Sequence, residues 1–420
     1  MALKQRLSTL RRQAGAQRDT EAGTCAPGTQ IAERVRRLRP AVPASAPGTR
    51  QGACGSGAPG DAARRDARLA ERLDGEVLAP GVILIEHRVA LEGRHGARAL
   101  RTLDDSPSDL PEAAGRSESE WIFVDTETTG LSGGSGTAVF MVGLARVQDN
   151  ALVVRQYVLS AFAGEAAMLA AAGDWLGGRA VLVSYNGKSF DVPLLAARCR
   201  LAGIADPFSR RAHLDLLHPT RRAFARIWDD CRLSTVERRL LDFRRLNDLP
   251  GSEAPAAWLA FVQRGNDRLL PEVARHNHWD LVSLAALLPA LAEVHADPGA
   301  WGADVAGVAR AHRQRGDEER ARALLGAHRD RLDDAGLREL ARLQRRAGAW
   351  SEACALWEEL ASRGCVESRM HLAKYHEHVR RDPRAALAYC TDTSCDAALQ
   401  RRRRLEDKLQ RRSGQRDWFD

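Results

Sequence analysis

Three short acidic segments carry residue types from which hydrolytic chemistry can be built. The first, Val124-Asp-Thr-Glu-Thr-Thr-Gly-Leu131, sets Asp125 and Glu127 two residues apart. On an extended strand that spacing aims both carboxylates at one face. The second, Ser184-Tyr-Asn-Gly-Lys-Ser-Phe-Asp-Val-Pro-Leu194, places Asp191 where a strand gives way to a helix. The third, His276-Asn-His-Trp-Asp280, lies within a long helical pattern. Four carboxylates meeting in one cleft repel one another unless divalent cations neutralise them. Oxygen-only ligands suit Mg²⁺ or Mn²⁺. Two such ions about 3.5–4 Å apart can activate a water and stabilise the leaving oxygen of a phosphodiester. A single Asp-x-Glu says little; the ordered set of four is the informative feature.

A proton acceptor lies close by in sequence. His276 and Asp280 are four residues apart, so on a continuous helix they share a face, about 6 Å apart along the axis; His278 points elsewhere. A neutral imidazole near pH 7 can take a proton from water, or His276 could serve only to orient Asp280. Lys188, one of four lysines in a chain with 63 Lys and Arg, sits beside Asp191 and could touch a phosphate or be simply solvated. Asp215 reads as a buried, hydrogen-bonded acid, with a supporting role at the site as the alternative. Phe190, Trp258 and Trp301 read as core, although an aromatic at 190 could stack on a base. The Arg-rich segments 220–226 and 238–245 could follow a phosphate backbone. Glu237 and Asp242 dilute that charge, so ion pairing is an equal reading. His87, His213 and His218 lack ligand spacing to one another and read as structural.

The elements that must hold these residues follow from local patterning. Segments 121–126, 137–147 and 152–159 are strands by their aromatic and β-branched content, the last two separated by the turn Gln148-Asp-Asn150. A helix over 165–176, a strand over 180–185 and a helix over 192–202 follow, and a long helical pattern runs from about 269 to 294. Hairpin-linked strands followed by α-β-α predict a mixed sheet with flanking helices, an α/β fold. From about residue 304 the pattern is all-helical and repeats. Ala309, Ala341 and Ala373 are evenly spaced, as are Ala321, Ala353 and Ala385, and Gly316 and Gly348 mark turns at the same interval. The expected organisation is a disordered basic tail and linker over 1–69, the α/β domain over 70–298, and helical repeats over 299–420.

Composition closes several alternatives. The chain has 420 residues, 28% of them charged, and a net charge of +8. That excess resides in the first 70 residues, so the body of the protein is balanced rather than coated with positive charge. No uncharged apolar run reaches the roughly 18 residues of a membrane helix, so no membrane partner is expected. The start of the chain lacks the apolar core of a secretory signal. The eight cysteines form no CxxC pair and no dense framework, which predicts reduced thiols in a cytoplasmic protein.

The ordered acids resemble the DEDD group of 3′–5′ exonucleases, built on the ribonuclease H-like fold. Cys231-Arg-Leu-Ser-Thr-Val-Glu237, Leu249-Pro-Gly-Ser-Glu253, Leu214-Asp-Leu-Leu-His-Pro219 and His276-Asn277 are similar to one branch of it, the YprB-like family, over roughly residues 70–295. That family often carries helical repeats behind the nuclease-like domain, and those here resemble tetratricopeptide repeats. The resemblance implies that Asp125, Glu127, Asp191 and Asp280 ligate two divalent cations, Mg²⁺ or Mn²⁺. It places His276 in the slot where many relatives carry a tyrosine, four residues before the last Asp, which makes it the candidate base. It implies that Thr128, Thr129, Gly130 and Leu131 meet the terminal nucleotide and that Asn186 lies near the scissile phosphate. The function implied is a two-metal exonuclease acting on single-stranded DNA or RNA ends. The alternative is a nucleic-acid-binding scaffold with little turnover whose helical repeats recruit a protein partner, since stacked repeats form concave binding surfaces.

Overall fold

The computed structural model describes residues 59–104, 107–113, 120–130, 136–390 and 396–414. The basic segment 1–58, Leu131, and the cysteines at 25, 54 and 395 therefore lie outside the described residues. The chain divides into two compact units, Met1–Ala296 and Asp297–Asp420.

The first unit is built on a seven-stranded sheet. Its strands are β1 (Glu76–Ala79), β2 (Val82–Ala90), β5 (Glu120–Thr128), β6 (Val139–Gln148), β7 (Ala151–Leu159), β8 (Ala180–Ser184) and β9 (Ala212–Asp215); β3 (Arg94–His95) and β4 (Arg98–Ala99) form a separate small hairpin. The order across the sheet is β1-β2-β7-β6-β5-β8-β9. β5, β6 and β7 form an antiparallel meander, closed at its β6–β7 turn by Asp149 and Asn150, both at positive φ. β8 pairs with β5 and β9 with β8, both in parallel, each reached through a helical crossover. The expected mixed sheet is thus present. Glu165–Trp175 (α2), Asp191–Ala202 (α3), Leu217–Phe224 (α4), Ala254–Arg264 (α5) and Leu270–Ala296 (α6) supply its helices.

Helix α6 is long and apolar enough to cross a membrane, yet 72% of its most apolar stretch is buried inside the protein. Leu281, Ala285 and Leu291 sit in the interior with no exposed surface, which makes it the central core helix of this unit. Trp258 of α5 stacks on Phe140 of β6 and donates its indole N–H to the Leu159 carbonyl, 2.7 Å away.

The sequence reading places a linker where the structure has a helix. Pro59–Arg72 forms helix α1, so residues 59–69 do not belong to a disordered linker. Leu69 is buried, and the buried Asp66 accepts from the Gly81 amide at 2.8 Å and from the Ser160 hydroxyl. The helix is held by this polar anchor and a narrow apolar stripe, and a composition-based reading registers neither.

The second unit is helical. Val305–Gln314 and Glu318–Ala327, Asp334–Arg346 and Trp350–Ser362, and Val366–His378 and Pro383–Ala388 follow one another as pairs, with Asp396–Gly414 after them. Ala309, Ala341, Ala373, Ala321 and Ala353 are buried, as their spacing indicates; Ala385 is half-buried and its neighbour Ala386 is buried instead. Gly316 and Gly348 adopt φ of +89° and +78° in the turns, a region that favours glycine. Asp304, Asp317, Asp333 and Asp382 cap helix N-termini through their carboxylates. The five described cysteines, Cys199, Cys231, Cys354, Cys365 and Cys390, are all free thiols.

Candidate active site

The strand register explains how the first two acids are presented. Asp125 lies opposite Gly143 of β6 and Glu127 opposite Met141, and the ladder slips between Glu127 and Thr128. Such an irregularity re-aims side chains at the end of a strand. Gly143 in turn lies opposite Gln156 of β7. Asp125, Gly143 and Gln156 therefore form one row across the sheet face that packs against α6. The absence of a side chain at 143 makes room for Asn277 of α6: a Cβ there would lie 2.2 Å from the Asn277 Oδ1. Asn277 fills the gap as a bridge. Its Nδ2 donates to Asp125 Oδ2 at 2.7 Å, and its Oδ1 accepts from Gln156 Nε2 at 2.8 Å.

Asp191 opens α3, directly after the turn that leaves β8. Asp215 of β9 builds that turn. Buried to 1% exposure, it accepts from the backbone amides of Asn186 (2.7 Å), Lys188 (3.1 Å) and Leu217 (3.1 Å). Of the two readings of Asp215, the buried, hydrogen-bonded one describes the structure, and its bonds position the segment that carries Asp191. Asn186 takes a left-handed φ of +70°, where Asn is among the tolerated residues. The Thr126 hydroxyl donates to Asp191 Oδ1 and fixes its orientation.

Helix α6 brings the last acid. His276 and Asp280 do share a face, with Nε2 and Oδ2 3.5 Å apart. His276 Nδ1 lies 2.8 Å from Asp248 Oδ1. The same Nδ1 lies 3.4 Å from Arg245 Nη1; a ring proton placed on Nδ1 for Asp248 would leave Nε2 as the acceptor. Arg245 donates to Asp280 and, through Nη2 at 2.6 Å and Nε at 3.0 Å, to the buried Glu237. Glu237 also accepts from Ser283, whose hydroxyl meets His95 Nε2 at 2.8 Å.

Electrostatics tie the four acids together. Burial, and then the charges of Asp280, Asp191 and Glu127, hold the Asp125 carboxyl well above the usual range, against the Asn277 bond. Burial followed by Asp280 and Asp191 raises Glu127 likewise, with Arg245 opposing. Asp191 rises from 3.8 to about 6, chiefly through burial, with the Thr126 bond opposing. Three of the four acids thus resist ionisation because burial and like charge outweigh the donors around them. A divalent cation is the partner this oxygen-rich set fits. One ligand atom each of Glu127, His276 and Asp280 lie within 4.8 Å of one another, close enough to share an ion. Asp125 and Asp191 stand outside that set, tied instead to Asn277 and Thr126.

The remaining expectations divide. Thr129 is buried, and its hydroxyl and amide close the chain onto Ala138, so its side chain is committed to the fold. Thr128 caps the Gly130 carbonyl at 3.0 Å. Lys188 is exposed on the turn before Asp191. Phe190 is not core: it is 47% exposed, next to Asp191. Within 238–245, Arg245 follows the ion-pairing reading. His213 binds the Ser184 hydroxyl at 2.7 Å, and burial lowers it to about 4. Asn277, Asp248 and Gln156 carry no site role from sequence, and nothing in their spacing marks them. Arg245 is legible only as one member of the Arg-rich segment 238–245.

This fold and site define a ribonuclease H-like domain, and residues 122–292 match the model of the RNase_H superfamily, a class of nuclease-type hydrolases. More narrowly, the chain belongs to the YprB family. It is 31% identical over 338 residues to the Bacillus subtilis (strain 168) protein titled "Uncharacterized protein YprB", covering 75% of this chain and 81% of that one. Among solved structures, the family B DNA polymerase from the hyperthermophilic archaeon Pyrobaculum calidifontis aligns with a TM-score of 0.36 and 16% identity, over 48% of this chain and 29% of the polymerase.

Proposed function

We propose that the chain is a metal-dependent 3′–5′ exonuclease of the DEDD type, hydrolysing phosphodiesters at single-stranded nucleic acid ends by a two-metal mechanism. The observation that carries this reading is the mutual charge of Asp125, Glu127, Asp191 and Asp280, drawn from β5, α3 and α6 into one electrostatic unit. Bound Mg²⁺ or Mn²⁺ would supply water activation and charge neutralisation at the phosphate. The four carboxylates would hold the ions, Asn277 and Thr126 aiming two of them. His276, oriented by Asp248 through Nδ1, would accept the proton of the attacking water at Nε2. Phe190 and Lys188, both exposed beside Asp191, would meet the base and backbone of the strand end. In this reading the helical pairs of the second unit are tetratricopeptide-like and recruit a protein partner.

The test is direct. Purified chain with Mn²⁺ should shorten a labelled single strand from its 3′ end, and Asp125→Ala combined with Glu127→Ala should abolish this with the fold intact. Equal activity in the double variant would refute the assignment. Arg245 favours a second reading, because its bond to Asp280 already neutralises one of the acids. A scaffold that binds nucleic acid with little turnover would show strand binding but no shortening under the same conditions.

A further inference from the structure

Helix α6 has a second polar face. Positions 276, 277 and 280 look toward the acids, whereas 271, 274, 275 and 278 lie on the opposite side of the helix by their spacing. Those four line a cleft of about 440 Å³ over the β2 end of the sheet, within the roughly 300–1,000 Å³ of small-molecule sites. Its floor is aliphatic. Its polar groups are Gln156, His87, His278, Arg72, Arg275 and Asp74.

Gln156 is the informative member. It is 1% exposed, and its Nε2 is spent on the Ala274 carbonyl and Asn277. Its Oε1 is buried with no hydrogen-bond partner among the described residues. A buried carbonyl oxygen left without a donor is costly, and native structures seldom keep one without a reason. His278 Nδ1 is likewise unsatisfied, and the two imidazoles meet edge to face with centroids 5.3 Å apart. The site therefore offers an acceptor at depth, heteroaromatic walls, a single carboxylate and two guanidinium-bearing residues, of which Arg275 also donates through Nη2 to the Asn247 carbonyl at 2.8 Å and lies over the Trp279 ring.

We propose that this cleft binds a nucleoside 5′-monophosphate: a base N–H reaches Gln156 Oε1, the ring lies against His87 and His278, the phosphate meets Arg72 and Arg275, and Asp74 accepts from the sugar hydroxyls. The choice of a mononucleotide rests on the proposed reaction, whose product it is. The same Gln156 amide fixes Asn277, which holds Asp125, so occupancy of the cleft bears on the acid site through two hydrogen bonds.

Isothermal titration of nucleoside 5′-monophosphates into the full-length chain in EDTA tests this apart from catalysis. Saturable one-site binding is expected, weakened at least tenfold by Arg275→Glu at the exposed rim and by Val89→Phe within the cleft, and retained in Glu127→Gln. No binding in EDTA overturns the proposal. So does binding lost in Glu127→Gln but kept in Arg275→Glu, which places the nucleotide among the acids. Inorganic phosphate binding as tightly as the nucleotide overturns the role given to Gln156. If the chain hydrolyses no strand yet binds the nucleotide as described, the exonuclease reading fails and this site stands.

Discussion

Replacing Asp191 by Asn should make the cation-free protein more stable at neutral pH, the reverse of the usual effect of altering a site residue. Folding lifts this carboxyl from 3.8 to about 6. The folded state therefore binds the proton more tightly than the unfolded chain, and stability is lost as pH rises through that window. At about 1.4 kcal/mol per pH unit, a displacement from 3.8 to about 6 costs about 3 kcal/mol once the pH exceeds 6. Asp191 is half-buried, and solvent at its outer edge makes that figure an upper value. The Thr126 hydroxyl can donate to an Asn oxygen as it does to Asp191 Oδ1, so the substitution removes the charge and keeps the bond. Urea titration in EDTA, followed by tryptophan fluorescence, should show the gap between wild type and variant opening between pH 4 and pH 6 and levelling off above, while the raised Asp125 and Glu127 carboxyls act on both proteins alike. Asp191→Asn should lose less, matching the wild type near pH 4 and exceeding it by up to about 3 kcal/mol at pH 8. Mn²⁺ at about 1,000 times its dissociation constant stabilises by about 4.1 kcal/mol and should reverse the order, since the variant lacks a ligand. An Asp191→Asn protein that is weaker than wild type at pH 8 in EDTA, or keeps the wild-type pH slope, would refute the claim that burial and neighbouring charge hold this carboxyl above its usual range.

Gly143→Ala places a Cβ 2.2 Å from Asn277 Oδ1; it should cost about 1–3 kcal/mol in urea and weaken Mn²⁺ binding, because Asn277 must leave Asp125. Asp215→Ala strips the acceptor from the amides of Asn186, Lys188 and Leu217, each loss worth about 1–3 kcal/mol; hydrogen exchange at those amides should accelerate more than at β6. Arg245→Met leaves Glu237, 2% exposed at its side chain, as an uncompensated buried acid and should destabilise by about 3–5 kcal/mol. Adding Glu237→Gln should restore most of that loss in the same urea titration; a double variant no better than the single one would show that the pair is not coupled.

The sequence made the sheet legible where the residues that form it also announce it. β5 and β7 are dense in β-branched and aromatic residues, and the run around 121–126 extends in the structure to Glu120–Thr128. The four acids were legible for a related reason: each sits in a short segment whose local geometry sets its direction. The partners that tune them were not. Asn277 could be read only as a neighbour of His276, because its role depends on Gly143 and Gln156, which arrive from two other strands. Asp248 and Arg245 lie in an irregular stretch after the turn Glu237–Leu241, whose path no periodicity predicts. Phe190 shows the converse failure. An aromatic flanked by Ser189 and Asp191 reads as core on hydropathy, and the tight turn held by Asp215 instead turns it outward.

The polar interior of this domain is organised around orientation more than stability. Buried ion pairs and amide bridges contribute little net free energy over well-packed apolar groups, yet here they run continuously from Gln156 through Asn277 to Asp125, and from Glu237 through Arg245 to Asp280. The paths end on Asp125 Oδ2 and Asp280 Oδ1, and Asp280 Oδ2 faces His276 Nε2 at 3.5 Å. An acid held by one oxygen cannot rotate away from its repelling neighbours, so the cluster cannot relax in the absence of a cation. Burial is the larger cause of the raised Asp125 and Glu127 carboxyls, and like charge adds to it; the like-charge part is what a divalent ion would relieve on binding. Acids free to turn away from one another would repel less and hold the ion more weakly.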